Sequence, residues 1–354
     1  MRMQRGRSSW VWVIAGVVGA TGVGLGWLAD RARASGPAAT PYAHTQRISL
    51  DVVPIPHQVH SRSTPLKQSK SKLVEFDTAP FPYRGAVPRS GKPFLDVTKD
   101  GRQGHQTGRG VLWEDETFND ARVLLHIPRG FDVRRPSLMV VFFHGHGATL
   151  GNDVFKRQQV PAQLTAAGAN VVLVAPQMAV NAADSSIGKL WQPGAFARFL
   201  GEAAKELAVL HGDPRAQRSF ASMPVVIVAY SGGYVAAAWS VYHGGVKRRI
   251  RGVVLFDALY GEVDKFADWI IKDRSRLFVS AYTGSTRSRN NELQRILADR
   301  DIPIAHAFEP QMGPGSVAFL QAPGDAEHRD FVTNAWAHQP LADLLNRLNG
   351  YARR

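Results

Sequence analysis

A serine lies in a sharp turn between a buried strand and a helix, in the sequence AYSGG at residues 229–233. The segment before it, Val225–Tyr230, is uncharged and rich in β-branched side chains, which predicts a buried strand. The Ala-rich residues 234–239 predict a helix. Because only Ser231 and two glycines separate the two segments, the chain must turn sharply, and glycine tolerates the backbone angles required. We therefore expect the Ser231 hydroxyl to project from the end of a sheet, where it could act as a nucleophile.

A serine hydroxyl needs a base to take its proton, and the sequence offers His328. His328 follows the last predicted strand, in GDAEHRDF, where a loop can return to the serine. His306 precedes that strand and His338 lies within the predicted closing helix, so both fit less well. Asp257 directly follows the apolar segment GVVLF, where a charge is costly unless it is used or paired. The alternatives are a surface-loop role for His328 and a helix cap for Asp257.

The elements that must position these residues begin at residue 109, where apolar strands alternate with amphipathic helices. GVLWEDETFNDARVLLHIP predicts a hairpin with its turn near Asn119 and Asp120, and the last predicted helix runs through FVTNAWAHQPLADLLNRL. The alternation predicts an α/β fold with a mostly parallel central sheet flanked by helices. Sites in such sheets lie beyond the carboxyl ends of the strands. The residues that follow the predicted strands there are His144, His146, Gln177, Ser231, Asp257, Thr283 and His328.

This part of the chain resembles the α/β-hydrolase superfamily of serine hydrolases over about residues 109–348. The superfamily's nucleophile elbow is usually G-x-S-x-G between a strand and a helix, and alanine stands here at the first small position. The order serine, acid, histidine is also the superfamily's. The resemblance implies that Ser231 is the nucleophile, His328 the base and Asp257 the acid. The superfamily often places the acid after the strand before last, but that strand ends here in SAYTGSTR, without a carboxylate.

The glycine-rich segment FFHGHG, residues 142–147, looks like the superfamily's oxyanion-hole loop. The resemblance implies that the backbone N–H groups of Gly232 and His146 bind the negative oxygen of the tetrahedral intermediate. His144 is then expected to be a structural, hydrogen-bonding residue. The alternative is a metal site at His144 and His146, but no third ligand follows at a familiar spacing, so neither a metal nor a cofactor is expected.

Three regions are expected to shape the pocket: residues 177–194, which are long enough to form a cover, Tyr260, and the segment TGSTRSRNN. Gln177, Tyr260 and Arg287 are the predicted substrate-binding residues. Arginine pairs bidentately with carboxylate and phosphate groups, so Arg287 could bind an acidic substrate; the alternative is a solvated surface arginine.

These features predict an enzyme that cleaves a small-molecule or envelope-derived ester by acyl transfer to water. Peptidase or amidase activity on the same triad, possibly on cell-wall peptide, stays open because ester and amide hydrolysis use the same groups. A further alternative is a non-catalytic, hydrolase-like binding domain, since fold resemblance does not fix the substrate or the activity.

The composition of the 354-residue chain excludes several other classes of protein. It has no cysteine, so disulfides, thiolate catalysis and cysteine-ligated zinc are ruled out. The net charge is +14, but most of the excess precedes residue 111 and no basic stretch is interleaved with aromatic residues. We therefore do not expect nucleic acid to be a partner.

The N-terminus has the features of an export signal or a membrane anchor. Arg2, Arg5 and Arg7 precede an apolar run at residues 10–29, which is near the ~20 residues needed to span a bilayer. An A-x-A cleavage sequence follows at residues 32–34. We expect a periplasmic or other extracytoplasmic protein, either secreted or anchored in the inner membrane through residues 10–29.

The predicted domain organisation has three parts. Residues 1–36 are the signal peptide or anchor, and residues 37–108 are an extension rich in proline, serine and basic residues. Part of this extension, including HSRSTPLKQSKSK, is predicted to be a linker. Residues 109–354 are the predicted hydrolase domain.

Overall fold

The computed structural model describes residues 64–324 and 326–353. The predicted export segment at residues 10–29 and the cleavage sequence at residues 32–34 lie outside the described residues. In the part of the chain that is described, no helix combines the length and the apolar character needed to cross a membrane.

The described residues form eleven strands, which belong to two sheets. In chain order they are β1 (Lys70–Glu75), β2 (Val97–Lys99), β3 (Arg102–Thr107), β4 (Gly110–Trp113), β5 (Arg122–Ile127), β6 (Leu138–Phe143), β7 (Val171–Pro176), β8 (Val225–Tyr230), β9 (Ile250–Phe256), β10 (Leu277–Tyr282) and β11 (Val317–Gln321).

Eight α-helices connect or flank these strands within the described ranges. They are α1 (Glu114–Thr117), α2 (Val160–Ala166), α3 (Ala195–His211), α4 (Gln217–Ser222), α5 (Tyr234–His243), α6 (Val263–Lys272), α7 (Arg287–Ala298) and α8 (Pro340–Arg347). A π-helix, Leu150–Arg157, follows β6.

The main sheet has eight strands in the order β1-β5-β7-β6-β8-β9-β10-β11. Strand β5 is antiparallel to both of its neighbours, and the strands from β7 to β11 pair in parallel. All residues of β6, β7, β8 and β10 are buried, which explains their mostly apolar sequences, because helices cover both faces of a parallel sheet. The predicted α/β fold with a mostly parallel sheet is confirmed.

Two layers of helices bury the two faces of the main sheet. On one face, side chains of α3, α5, α6 and α7 pack against alternate strand residues such as Val141 and Ile227. On the other face, α2, α8 and the π-helix pack against the intervening residues, including Val140 and Val228. This alternation follows from the two-residue period of a strand, whose successive side chains point to opposite faces.

The hairpin predicted across residues 110–128 is wrong, because its two strands belong to different sheets. Strand β4 pairs with β3 in a three-stranded sheet of order β2-β3-β4. The acidic residues after it form the short helix α1. Strand β5 then pairs with β1 and β7 in the main sheet.

The main sheet also includes a strand that lies in the predicted extension. Strand β1 contains Lys70 and Ser71, which the sequence pattern assigned to a linker, and it pairs with β5 along its whole length. The Lys70 ammonium donates to the carbonyl groups of Leu210 and His211 at the end of α3, at 3.0 and 2.9 Å. The linker prediction is wrong for these residues, because the polar side chains of β1 are used at the edge of the sheet.

The closing helix is shorter than predicted. Helix α8 begins at Pro340, whose fixed φ angle suits the first turn of a helix. His338 therefore precedes this helix. The sequence pattern predicted that it lies within the helix, and this prediction is wrong.

Candidate active site

Ser231 lies at the end of β8 with a φ angle of +51°, a left-handed conformation that is strained for a residue with a side chain. A 3₁₀ turn, Ser231–Gly233, leads directly into α5. A Cβ atom on Gly233 would lie 2.4 Å from the carbonyl oxygen of Phe143, and one on Gly145 would lie 2.7 Å from the Cβ of Ser231. Glycine is therefore required at both positions so that the serine turn can pack against the end of β6.

The structure brings Ser231, His328 and Asp257 together. His328 lies on the loop after β11, and its Nε2 atom is 2.9 Å from the Ser231 hydroxyl oxygen. Its Nδ1 atom is 2.7 Å from Oδ2 of Asp257, which directly follows β9. Of the histidines considered from the sequence, it is His328 that makes the contact with Ser231.

Asp257 is fully buried, with a relative exposure of 0%. Burial alone would raise the pKa of the Asp257 carboxyl, but hydrogen bonds from His328, Thr283 and Thr286 outweigh this and hold the pKa below its usual range. The carboxylate therefore stays ionised beside His328, where it can stabilise an imidazolium.

The His328 loop is held from two sides. The Tyr230 hydroxyl donates to the His328 carbonyl at 2.8 Å, and the Tyr230 ring stacks on the imidazole with centroids 5.2 Å apart. Arg157 of the π-helix donates to the Arg329 carbonyl at 3.0 Å and is itself held by Asp153, also at 3.0 Å. These contacts fix the backbone from which the imidazole reaches Ser231.

His144, the first residue after β6, is buried. Its Nδ1 atom is 2.8 Å from the Gly145 carbonyl, so Nδ1 carries the proton and donates. Its Nε2 atom accepts from the Met178 N–H and the Gln177 amide, both at 2.9 Å. Burial lowers the pKa of His144 to about 4. His144 is thus a neutral, hydrogen-bonding residue.

The alternative of a metal site at His144 and His146 does not fit this geometry. Both ring nitrogens of His144 are used in hydrogen bonds, and Nε2 of His146 lies 2.6 Å from the Ser185 hydroxyl. Within the described part of the chain, no three His, Asp or Glu side chains are grouped so that they could hold a metal ion.

Of the two residues predicted to supply oxyanion donors, Gly232 is part of the serine turn and His146 contacts it through its side chain. The N–H of Gly232 belongs to the first turn of the continuous helical segment that leads into α5, where backbone donors have no intrahelical acceptor. The His146 side chain lies over Gly232, because a Cβ atom there would be 2.4 Å from its imidazole. The next N–H of the loop, that of Gly147, donates to the Ala182 carbonyl.

The strand order and the turn around Ser231 identify the fold. A mostly parallel sheet carries a strand–serine–helix turn at its carboxyl edge, followed along the chain by Asp257 and then His328. The chain has the α/β-hydrolase fold.

No family model matches this chain, and no curated protein matches it. Several solved structures are distantly similar to it. The feruloyl esterase module from Clostridium thermocellum, complexed with sinapinate, is 12% identical, with 75% of this chain and 95% of that chain covered and a TM-score of 0.42. An S-formylglutathione hydrolase from Agrobacterium tumefaciens is 11% identical, with 72% and 98% covered and a TM-score of 0.38.

A thermophilic esterase from Thermogutta terrifontis is 11% identical, with 63% of this chain and 85% of that chain covered and a TM-score of 0.36. These TM-scores are too low to support conclusions about activity. The fold is therefore assigned from this chain's own strand order and serine turn.

The three predicted substrate-binding residues occupy different surroundings in this fold. Tyr260 is exposed, and its ring centroid lies 6.2 Å from that of His328. Arg287 is exposed at the first residue of α7. The prediction for Gln177 is wrong, because this residue is only 1% exposed and its amide bonds His144, Ala148 and Leu150. These hydrogen bonds hold the loop after β6 in place.

Several residues of the site were not predicted from the sequence. Tyr230 and Arg157 hold the His328 loop, and Ser285 and Thr286 donate to Asp257. The run of hydroxyl side chains in TGST was a usable signal, since it follows a buried strand at the same edge as Asp257. Tyr230 and Arg157 gave no such signal, because their sequence neighbours are typical of a strand and a helix.

Proposed function

We propose that this protein is a serine hydrolase that cleaves esters by acyl transfer to water. The observation that carries this proposal is the connected geometry of the triad: Ser231 Oγ lies 2.9 Å from one nitrogen of His328, and Asp257 lies 2.7 Å from the other. A nucleophile, a base within hydrogen-bond reach and a group that orients the base are the requirements of this chemistry.

In the proposed acylation step, Ser231 Oγ attacks the ester carbonyl carbon while His328 Nε2 takes the hydroxyl proton. Asp257 accepts a hydrogen bond from Nδ1–H and stabilises the imidazolium that forms. The carbonyl oxygen becomes negative and is bound by the backbone N–H groups of Gly232 and His146. The tetrahedral intermediate then expels the alcohol, which takes the proton from His328.

The proposed deacylation step repeats this chemistry with water. His328 takes a proton from the water as its oxygen attacks the acyl carbon, and then returns a proton to Ser231 Oγ as the ester bond to the serine breaks. The products are a carboxylic acid and the free enzyme, and no metal or cofactor is required by this sequence of steps.

The proposed substrate is a small-molecule ester that binds against Tyr260, with Arg287 available to an acidic group. The exposed ring of Tyr260 beside His328 supports a place for the substrate at this edge of the sheet. We also propose an extracytoplasmic location, which is supported by the basic residues and apolar run at the N-terminus.

Ester hydrolysis by the full-length protein tests this function. We expect it to hydrolyse short-chain p-nitrophenyl esters in the presence of a chelator, and faster than peptide p-nitroanilides. Ser231→Ala should lower kcat by at least about 10³-fold, because the nucleophile is lost. The matched control is Ser240→Ala, which removes a buried hydroxyl that has no hydrogen-bond partner among the described residues and should leave kcat unchanged.

Activity that survives Ser231→Ala, or that disappears with the chelator, would contradict the proposal. Faster cleavage of the anilides would move the assignment to a peptidase or amidase that uses the same three residues.

A further inference from the structure

Each oxygen of the Asp257 carboxylate has several hydrogen-bond donors. Oδ1 accepts from the Thr283 backbone N–H at 3.0 Å and from the Thr286 hydroxyl at 2.6 Å. Oδ2 accepts from the hydroxyls of Thr283 and Ser285, at 2.8 and 3.1 Å, and it also faces Nδ1 of His328 at 2.7 Å. A charge that is fully buried needs such donors, because no water solvates it.

The donors come from the loop TGST, residues 283–286, which follows β10. This is the position at which the sequence lacks a carboxylate, and the loop supplies hydroxyl donors to the carboxylate that follows the neighbouring strand β9. The backbone joins the two positions as well, since the Asp257 N–H donates to the Ala281 carbonyl at 2.8 Å. The carboxylate of the triad thus follows one strand, β9, and its hydroxyl donors follow the adjacent strand, β10.

Thr286 differs from the other two hydroxyl donors. Its side chain is buried, at 1% exposure, whereas Ser285 is exposed and Thr283 is half-buried. It bonds Oδ1, so it orients the carboxylate without competing with His328 for Oδ2. It also stands just before the first residue of α7, where the helix dipole favours a negative charge.

The backbone of Thr286 is fixed independently of its hydroxyl. The Thr286 carbonyl accepts from the backbone N–H of Asn290 at 3.1 Å and from its side-chain amide at 2.9 Å. The Asn290 side chain is also 2.6 Å from the Ser280 hydroxyl of β10. Replacement of Thr286 by valine therefore removes one donor and leaves the start of α7 anchored.

We propose that Thr286 is a positioning residue, whose hydroxyl fixes the rotation of the Asp257 carboxylate so that Oδ2 faces His328. This inference rests on the proposed serine hydrolase function. Thr286 acts through Asp257 and does not touch the substrate. Its loss should affect the chemical step, in which the imidazolium forms, and leave substrate binding intact.

The test is steady-state kinetics of full-length Thr286→Val and Thr286→Ser on a p-nitrophenyl ester. T286V should lower kcat between about tenfold and a hundredfold and change KM by less than about twofold, as expected when a hydrogen bond to a charged group is lost from the chemical step only. T286S keeps the hydroxyl and should retain kcat within about threefold of the wild type. Ser240→Ala is the control for loss of a buried hydroxyl elsewhere.

A spectroscopic readout separates positioning from general destabilisation. The Nδ1–H proton of His328 should give a far-downfield proton NMR resonance, which is assigned by its absence in His328→Ala. We expect this resonance to shift or broaden in T286V and to be restored in T286S. If T286V does not fold, Thr286→Cys, whose thiol is a weak donor, takes its place.

The inference is overturned if T286V, or T286C in its place, keeps both the wild-type kcat and the wild-type resonance. It is also overturned if T286S loses as much activity as T286V, because the side-chain shape would then matter and not the hydroxyl. Failure of the proposed function is a different result: the wild type would show no hydrolysis that depends on Ser231. The resonance would still report the contact between Asp257 and His328 in that case.

Discussion

At the scale of single residues, the surroundings of each histidine decide what it can do. His328 has a carboxylate on one nitrogen and a hydroxyl on the other, at the surface of the sheet edge. His126 is buried between the hydroxyls of Ser71 and Thr165, at 2.7 and 2.8 Å. Burial lowers the pKa of His126 to about 4, as it does for His144. Of these three histidines, His328 is the one that has a carboxylate on one ring nitrogen and the Ser231 hydroxyl on the other.

The two buried histidines predict how stability depends on pH. Their pKa is about 4 in the folded chain, and it is about 6.5 in an unfolded chain. Between these values the unfolded state binds more protons, so the free energy of unfolding should fall as pH is lowered from about 6.5 to about 4. Each histidine contributes a slope of up to about 1.4 kcal/mol per pH unit, which gives a loss on the order of a few kcal/mol.

Urea unfolding at a series of pH values measures this effect. Asp257 does not interfere: its pKa is lowered by folding, so its contribution is lost only as pH falls below the ordinary aspartate pKa of about 3.9. The desolvated side chains of His146, His211 and His243 act in the same direction as His126. Replacement of His126 by Gln should make the fall shallower. An unfolding free energy that is constant across this range would contradict the assignment of buried, neutral histidines.

At the scale of elements, the turn between β8 and α5 depends on the residues that pack against it. The carbonyl of Phe143 at the end of β6 occupies the space that a side chain on Gly233 would need. A backbone oxygen cannot move away by a change of rotamer, so the strand or the turn must shift. At Gly201, in the interior of α3, no described atom apart from those of its chain neighbours and the helix's own backbone lies within 4 Å of the corresponding position.

These two glycines give a matched pair of substitutions. Gly233→Ala should destabilise the protein by about 1–3 kcal/mol, because the added methyl group overpacks the turn, and it should displace Ser231. Gly201→Ala should stabilise the protein by about 0.5–1 kcal/mol, because alanine loses less backbone entropy in a helix. Urea unfolding of both variants measures the two effects. Equal stability of Gly233→Ala and the wild type would contradict the close packing of the turn.

The elements that could be predicted from sequence are those with long apolar patterns. Strands β6, β7, β8 and β10 are buried throughout, and β9 and β11 are mostly buried and apolar. Helix α3 is followed by Gly212, which has a φ angle of +93°. Strand β1, with the sequence KSKLVE, lies at the edge of the main sheet, and β3, with RQGHQT, is the central strand of the small sheet. Neither has such a pattern, because most of their side chains are exposed or half-buried. The pairing of β1 also depends on β5, which is distant in sequence, and local pattern does not contain that information.

At the scale of the whole molecule, the parallel sheet explains how distant residues form one site. Ser231 and His328 are 97 residues apart, and Asp257 and His328 are 71 apart. Because the carboxyl ends of parallel strands meet at one edge, residues that follow β8, β9 and β11 become neighbours. This rule was enough to predict that the three side chains come together.

The same rule does not distinguish exposed from buried positions at the edge. Gln177 follows β7 as Ser231 follows β8, but its side chain is buried against the loop after β6 and donates a hydrogen bond to His144. Similarly, the hydroxyls of TGST are compatible with any polar loop until Asp257 is known to lie beside them. Side-chain direction beyond a strand end depends on tertiary packing, so these roles were found only in the structure.

The central claim, that Ser231 is an activated nucleophile, is tested most directly by mass spectrometry after treatment with a fluorophosphonate probe. Attack of the serine oxygen on phosphorus expels fluoride and leaves a stable adduct. The full-length protein should carry the adduct on Ser231 with or without a chelator, Ser231→Ala should not acquire it, and Ser240→Ala should react as the wild type does. A folded wild-type protein that stays unmodified at Ser231 under these conditions would contradict the account.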